Sequence, residues 1–443
     1  MHQSVRAIPQ VRSDSARPLP GWQAAGMLRR RLALPVIALL SLAACSSDSN
    51  TASTASTGSS GSAATTTEAA APSTDAVTTT EAATTTTESA ADQAMAYSEY
   101  GPYPVGVTTL QLEKGPLVEI WYPAVEGSNG TETYDVRDYV GEVIKPLLTG
   151  DVPTTFTYPA TRDAAVADGS FPVVLFSHGF TGIRVQSSFL TSNMASWGMI
   201  VVSPEHPSRD MANVLSNTAS GNRADSVDDL LKSLDLITAQ GADPASPFSG
   251  HVDAERVAAV GHSAGGGTVL GAAADPRVDG YVSLASGALL GGQPGAGTTT
   301  TAPPALPEKP SFFIGGSVDN VVPFDTVTKP SFEAAPSPSL LWEIEGVGHN
   351  GFDDFCTFGN GTGIIGVAKA SGLGAFLDGQ PQMVKLGEDG CVPPAIPVAT
   401  TFPVINHAVT AWVRNLFGID TESVGLGDDV AGLYATPITI TSK

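Results

Sequence analysis

At 443 residues the chain is longer than one ordinary domain, so it holds either several domains or a substantial unfolded part. Its formal net charge of −22 comes with no basic cluster; nucleic acid is excluded as an expected partner, and the acidity suits a salt-exposed extracellular setting. The three cysteines and seven histidines show no C-x-x-C or H-E-x-x-H spacing, so we expect no metal and no cofactor.

Taken from its start, the chain first presents Arg29, Arg30 and Arg31, then an apolar run over 32–42 that is too short to span a bilayer, then small residues. That layout is a secretory signal, and Leu42-Ala43-Ala44-Cys45 resembles the bacterial lipobox. We therefore expect a signal peptide over 1–45, with 1–26 an upstream mis-start. Cys45 would be the acylated first residue of the mature protein, and the protein would be secreted and lipid-anchored on the outer face of the bacterial cell membrane. An ordinary cleaved signal with an incidental cysteine is the alternative. Residues 46–95 are mostly Thr, Ser and Ala with scattered Glu, which bury too little apolar surface to offset the entropy of ordering. They read as a disordered tether of roughly 40 Å root-mean-square span.

The remainder, 96–443, is the size of one large α/β domain. An opening strand pair is expected at 108–112 and 117–123, followed by a buried strand at 173–177 (VVLFS), a helix over 183–197 and another buried strand at 199–203. Residues 226–239 form an amphipathic helix. Val227, Leu230, Leu231, Leu234 and Ile237 lie on its apolar face, with Asp228, Asp229 and Lys232 opposite. Strands at 257–260, 280–284, 311–315 and 340–345 and a closing helix over 405–417 complete the pattern. Alternating strands and helices imply a mostly parallel sheet covered on both faces, with functional residues at the carboxyl ends of its strands. The Gly-, Thr- and Pro-rich run 287–310 reads as a surface insertion that could shape the rim of a site.

The informative stretch is RVAAVGHSAGGGT at 256–268. A short valine-bounded strand stops at Gly261-His262-Ser263-Ala264-Gly265, which fits G-x-S-x-G, and a small-residue helix follows over 266–274. This is the strand-turn-helix context in which a strained turn lifts a serine hydroxyl above the sheet. A glycine-rich turn with an incidental serine is the plainer reading. A serine hydroxyl is a weak nucleophile at neutral pH, so it needs a base to take its proton and a carboxylate to orient that base. His349, in GVGHN just beyond the last parallel strand, is placed for the base. His262 fills the variable position of the elbow, while His206 and His407 lack such a setting. For the acid we select Asp319, in GGSVDNVVP after the strand at 311–315. Asp275 and Asp279 are the runners-up, and Asp353 and Asp354 stand too near His349 in sequence. Two N–H donors would meet a developing oxyanion: Ala264, at a helix N-terminus, and Phe180, in the Ser177-His178-Gly179-Phe180 turn. Cys356 and Cys391, the pair left in an oxidising compartment, are expected to form a disulfide; two free thiols or a metal are the alternative, without the C-x-x-C or H-E-x-x-H spacing a metal would call for.

Together GHSAGG, FSHGF, GSVDNVVP and GHN resemble the α/β-hydrolase superfamily over about 104–417. Within it, IWYPA at 120–124, SPEHPSRD at 203–210 and GHSAGGG resemble bacterial predicted dienelactone hydrolases related to the platelet-activating-factor acetylhydrolases. HGFTG with GHSAGGG is also similar to bacterial cutinases and polyester hydrolases. This chain has serine where true dienelactone hydrolases use cysteine, and it lacks the tryptophan that polyester hydrolases usually carry after the strand following the elbow. The resemblance implies a cofactor-free serine carboxylic ester hydrolase acting on short-acyl lipid-like or small esters. A polyester hydrolase, a peptidase or acyltransferase on the same residues, and an inactive binding module with this fold are the alternatives.

Overall fold

The computed structural model describes residues 95–142, 144–148, 152–288 and 305–443. The expected signal, Cys45, the tether and most of the 287–310 run lie outside the described residues. The strands are β1 (Val105–Gln111), β2 (Leu117–Pro123), β3 (Glu132–Asp135), β4 (Thr155–Tyr158), β5 (Thr161–Arg162), β6 (Phe171–Ser177), β7 (Ile200–Pro204), β8 (Val252–His262), β9 (Gly280–Leu284), β10 (Ser311–Gly316), β11 (Ser339–Ile344) and β12 (Ile438–Ser442). Ten of them form one sheet in the order β12-β11-β10-β9-β8-β6-β7-β2-β1-β5, and β3 and β4 pair as a separate hairpin. From β7 through β11 the neighbours run parallel; β1–β2, β2–β7 and β11–β12 are antiparallel.

The central strands are near-continuous apolar runs because both faces are covered. Alternate residues serve opposite sides. Val174, Phe176, Ala258, Val260, Phe312 and Ile314 pack with helices α1 (Ser188–Ser196) and α5 (Val398–Leu416). Val173, Leu175, Val257, Ala259, Tyr281 and Phe313 pack with α2 (Arg223–Ala242) and α3 (Ala264–Ala272). A capping box starts α2: Asn222 accepts from the Ala224 N–H at 2.7 Å, and the Asp225 carboxylate accepts from the Asn222 N–H at 2.7 Å. The remaining long helical element, α4 (Pro381–Glu388), belongs to a segment between Cys356 and Cys391 that packs over the carboxyl ends of the strands, where it lines the pocket described below.

Three differences from expectation have physical causes. The apolar residues Ile183 and Val185, read as helical, are buried in the loop that precedes α1, so their pattern reports core contact and not helix. The closing helix begins at Val398, seven residues earlier than expected, because it tolerates Pro403 inside its second turn. Asp229 does not lie on the solvent face of its helix. It is 3% exposed, accepts from His206 Nδ1 at 3.1 Å and pairs with Lys114 at 2.6 Å.

Candidate active site

At the end of β8 the backbone turns sharply at Ser263, whose φ of 54° and ψ of −122° put it in a region that L-residues adopt only under strain. The glycines on either side are needed. A Cβ at Gly265 would run into the Ser177 carbonyl, and one at Gly261 into the Gly265 backbone. The turn is pinned from β9: Ser263 N–H donates to the Leu284 carbonyl at 2.9 Å, and Ser286 Oγ donates to the Ser263 carbonyl at 2.6 Å. These contacts leave the side chain of Ser263, 8% exposed, at the mouth of the first turn of α3.

Loops after the last two parallel strands, β10 and β11, bring the other groups to it. His349 follows β11, and its Nε2 lies 2.9 Å from Ser263 Oγ. Asp319 follows β10, and its Oδ2 lies 2.9 Å from His349 Nδ1. The other carboxylate oxygen of Asp319 accepts from the Val321 and Val322 N–H groups at 2.8 and 2.7 Å, which leaves Oδ2 facing the imidazole. With Nδ1–H donating to Asp319, the imidazole presents Nε2 as an acceptor for the serine proton. Burial opposes the charged imidazolium, but the Asp319 carboxylate, helped by Asp353 and Asp389, outweighs it and raises the His349 pKa above that of a free imidazole. The alternative acids are used elsewhere: Asp275 pairs with Arg277, and Asp279 accepts from the Val257 N–H at 2.9 Å.

The β6 turn lies against the serine. A Cβ on Gly179 would sit 3.2 Å from Ser263 Cβ, and Phe180 lines the same pocket as Ser263 and His349. Ala264 opens α3, where first-turn N–H groups have no partner inside the helix. This turn rests on a buried polar network. Arg209 donates to the His178 carbonyl from Nε and Nη2 at 3.1 and 2.9 Å, to Ser177 Oγ at 2.8 Å and to Thr268 Oγ1 at 3.1 Å. His206 bridges Ser177 Oγ, 2.9 Å away, to Asp229. Burial holds both His178 and His206 well below the usual imidazole range, so both are neutral.

Sequence reasoning missed four supports of the site. His262, dismissed as the variable elbow residue, is buried; its Nε2 donates to the His349 carbonyl at 3.1 Å, and burial keeps it neutral. Gln186 accepts from the Gly179 N–H at 2.8 Å and donates to His262 Nδ1 at 3.1 Å and Asp353 at 2.7 Å, which ties three loops together. Burial pushes the Asp353 carboxyl up to about 7. Asp389 accepts from the His349 N–H at 2.8 Å and the Asn320 N–H at 3.2 Å. Only His262 had a visible signal, as a polar side chain beside the elbow. Cys356 and Cys391 are joined by a disulfide (S–S 2.09 Å), and the segment between them roofs the pocket over Ser263. Among the described residues no group of His, Cys, Asp and Glu is placed to hold a metal ion.

A model of the PET hydrolase-like family matches residues 149–385, more than half of the chain. The bis(hydroxyethyl) terephthalate hydrolase of Streptomyces coelicolor is 27% identical over 205 residues, covering 46% of this chain and 56% of that protein. The platelet-activating factor acetylhydrolase of Canis lupus familiaris is 30% identical over 122 residues, 24% of this chain and 27% of that protein. The chain thus matches little more than half the length of the first of these curated relatives and about a quarter of the second. Among solved structures, a ferulic acid esterase from Streptomyces cinnamoneus aligns with a TM-score of 0.53 at 18% identity, covering 77% of this chain and 97% of that one; at that identity the likeness shows the fold alone. By the family match and the shared architecture, the chain belongs to the PET hydrolase-like family of α/β-hydrolases.

Proposed function

We propose that the chain is a serine carboxylic ester hydrolase in which Ser263 is the nucleophile, His349 the general base and Asp319 the residue that orients it. The observation that carries this reading is the unbroken hydrogen-bond relay Ser263–His349–Asp319, with 2.9 Å at each step, at the floor of an apolar pocket. Ser263 Oγ attacks the ester carbonyl carbon as its proton passes to His349 Nε2. The resulting oxyanion is met by the Ala264 and Phe180 N–H groups, each such donor contributing about 10²- to 10³-fold in rate. The tetrahedral adduct collapses as His349 returns the proton to the leaving alcohol. Water, deprotonated by the same imidazole, then hydrolyses the acyl-enzyme. The substrates are small or short-acyl lipid-like esters.

A polyester is the second reading, favoured by the family match and by the terephthalate ester hydrolase among the relatives. By the Cys45 motif, we place the enzyme on the outer face of a bacterial membrane as a lipoprotein; loss of radiolabelled palmitate in Cys45→Ala tests this. The activity is tested with an active-site-directed fluorophosphonate. Stoichiometric labelling lost in Ser263→Ala, together with hydrolysis of 4-nitrophenyl acetate, is expected; labelling that survives Ser263→Ala would overturn the assignment of the nucleophile.

A further inference from the structure

We infer that the segment between Cys356 and Cys391 is a fixed cap whose underside forms an acyl-binding chamber, selective for straight-chain aliphatic acyl groups over those with a polar far end. This rests on the ester-hydrolase reading and deepens it by naming the substrate class.

Starting from chemistry, the cavity of about 90 Å³ has a polar end and an apolar body. The polar end comprises Ser263, His349 and their immediate supports. The body is built by Val140 and Ile144 from the segment after β3, and by Ile365, Leu373, Leu377 and Leu386 from the cap. Among the described residues no Lys, Arg, Asp or Glu lines it.

The side-chain N–H and O–H donors of Gln186, Asn350 and Thr181 at the serine end are already committed. Both N–H groups of Gln186 and its carbonyl oxygen are bonded, to His262, Asp353 and Gly179. Asn350 spends its Nδ2 on the Leu386 and Asp389 carbonyls at 2.7 and 2.8 Å. Thr181 Oγ1 donates to the Phe180 carbonyl at 2.6 Å. An acyl group that ends in methyl finds matching surface in the body of the chamber. One that ends in hydroxyl or carboxylate gives up water there to face aliphatic side chains.

The cap holds this chamber in place. The disulfide closes its neck, with the two Cα atoms 4.9 Å apart. Near the neck, Asp389 and Leu386 accept hydrogen bonds from the His349 loop, and Phe358 stacks on Phe156 of β4 with ring centroids 4.4 Å apart. Among the described residues, a roof tied to the same loop that carries His349 stands over Ser263, where a polymer chain would have to lie. It suits single molecules. The acyl group stays on the serine while the alcohol departs, so the roofed chamber fits the acyl side and the alcohol leaves toward solvent.

The test uses the full chain and two ester series: 4-nitrophenyl esters from acetyl to decanoyl, and acetyl esters of alcohols of rising length. Acyl groups of equal length ending in hydroxyl or carboxylate, and a polyester film, are added. Ser263 labelling by a small fluorophosphonate is followed in parallel. We expect an optimum at a short straight acyl chain, a shallower dependence on the alcohol, and at least roughly tenfold lower kcat/KM for the polar-ended acyl groups. In Ile365→Ala the optimum moves to longer chains; Leu377→Ala reads the same shift should the first variant fail to fold. Intact labelling with equal rates for polar-ended and methyl-ended acyl groups, with the steeper dependence on the alcohol, or with fast release from the film would overturn the chamber and leave the hydrolase standing. Absence of labelling would overturn the hydrolase reading itself.

Discussion

Replacing Asp389 separates the roles of the cap from those of the triad, because this one carboxylate joins the loops that carry Asp319 and His349. It accepts from the His349 N–H at 2.8 Å and from the Asn320 N–H at 3.2 Å. A hydrogen bond to a charged acceptor contributes about 1.5 to 3 kcal/mol when buried, and Asp389 is partly exposed, so about 1 kcal/mol for each bond is a fair discount. Asp389→Ala then costs about 2 kcal/mol. With an unfolding entropy of about 2.1 cal/mol/K per residue, a domain of this size melts roughly 3 °C lower for such a loss. The charge acts separately. Burial lowers the His349 pKa, while the carboxylates of Asp319, Asp353 and Asp389 raise it, and the net is upward. Removing the charge at 389 lowers the folded pKa of His349. Since the base works only when neutral, the acid limb of kcat/KM moves to lower pH. Asp389→Asn keeps one acceptor and removes the charge, so it shifts the limb as Ala does but costs about half the stability. The assay is the second-order rate of fluorophosphonate labelling from pH 5 to 9, beside thermal melting. If both variants keep the wild-type acid limb, or move it upward, the link from Asp389 to the imidazole is refuted.

The parts of this molecule that sequence reveals are those governed by local rules. The central strands announce themselves because a strand covered on both faces must be apolar throughout, and the turn at Ser263 because only glycine fits at 261 and 265. The pairing of Ser263 with His349 and Asp319 follows from where each stands relative to a parallel strand, since the carboxyl ends of such strands meet on one edge. Asp229 shows where the reading stops. A helical wheel places it beside Asp228 on the polar face, but the Lys114 ammonium and a buried imidazole lie next to that helix and draw one carboxylate inward. Gln186 and Asp389 carry no local signature at all, because their partners stand 7 to 167 and 40 to 69 positions away and are brought near only by the assembled sheet. The cap is illegible for a related reason. Its helices are short and glycine-interrupted, so they have no sustained period, and they stay together through a disulfide and contacts to the body beneath.

Three further outcomes are expected. The acid limb of the wild-type kcat/KM profile should fall above about 6.5, the value of a free imidazole, because the Asp319 carboxylate outweighs burial at His349; a limb below that value in the labelling assay would contradict the ion pair. Replacing Cys356 and Cys391 together by alanine should cost about 3 to 4 kcal/mol, from the loop entropy of a bridge spanning 35 positions, and melting of the oxidised and reduced wild type should differ by a similar amount. The last concerns Arg209, which lies 6% exposed beneath the Gly179–Phe180 turn. Burial pulls its pKa down to about 9 against the pull of Asp229 and Asp210, so it remains charged at neutral pH. Arg209→Met removes four hydrogen bonds and leaves the His178 carbonyl without its clamp, with Asp229 short of positive charge; breaking a buried charged network in this way costs about 3 to 5 kcal/mol. Arg209→Lys keeps the charge but cannot fork across the carbonyl and both hydroxyls. It should recover much of the stability and little of the labelling rate, because the rate depends on where the Phe180 N–H is held. A lysine variant that restores both equally would mean the guanidinium supplies only charge, and the turn above it would need another support.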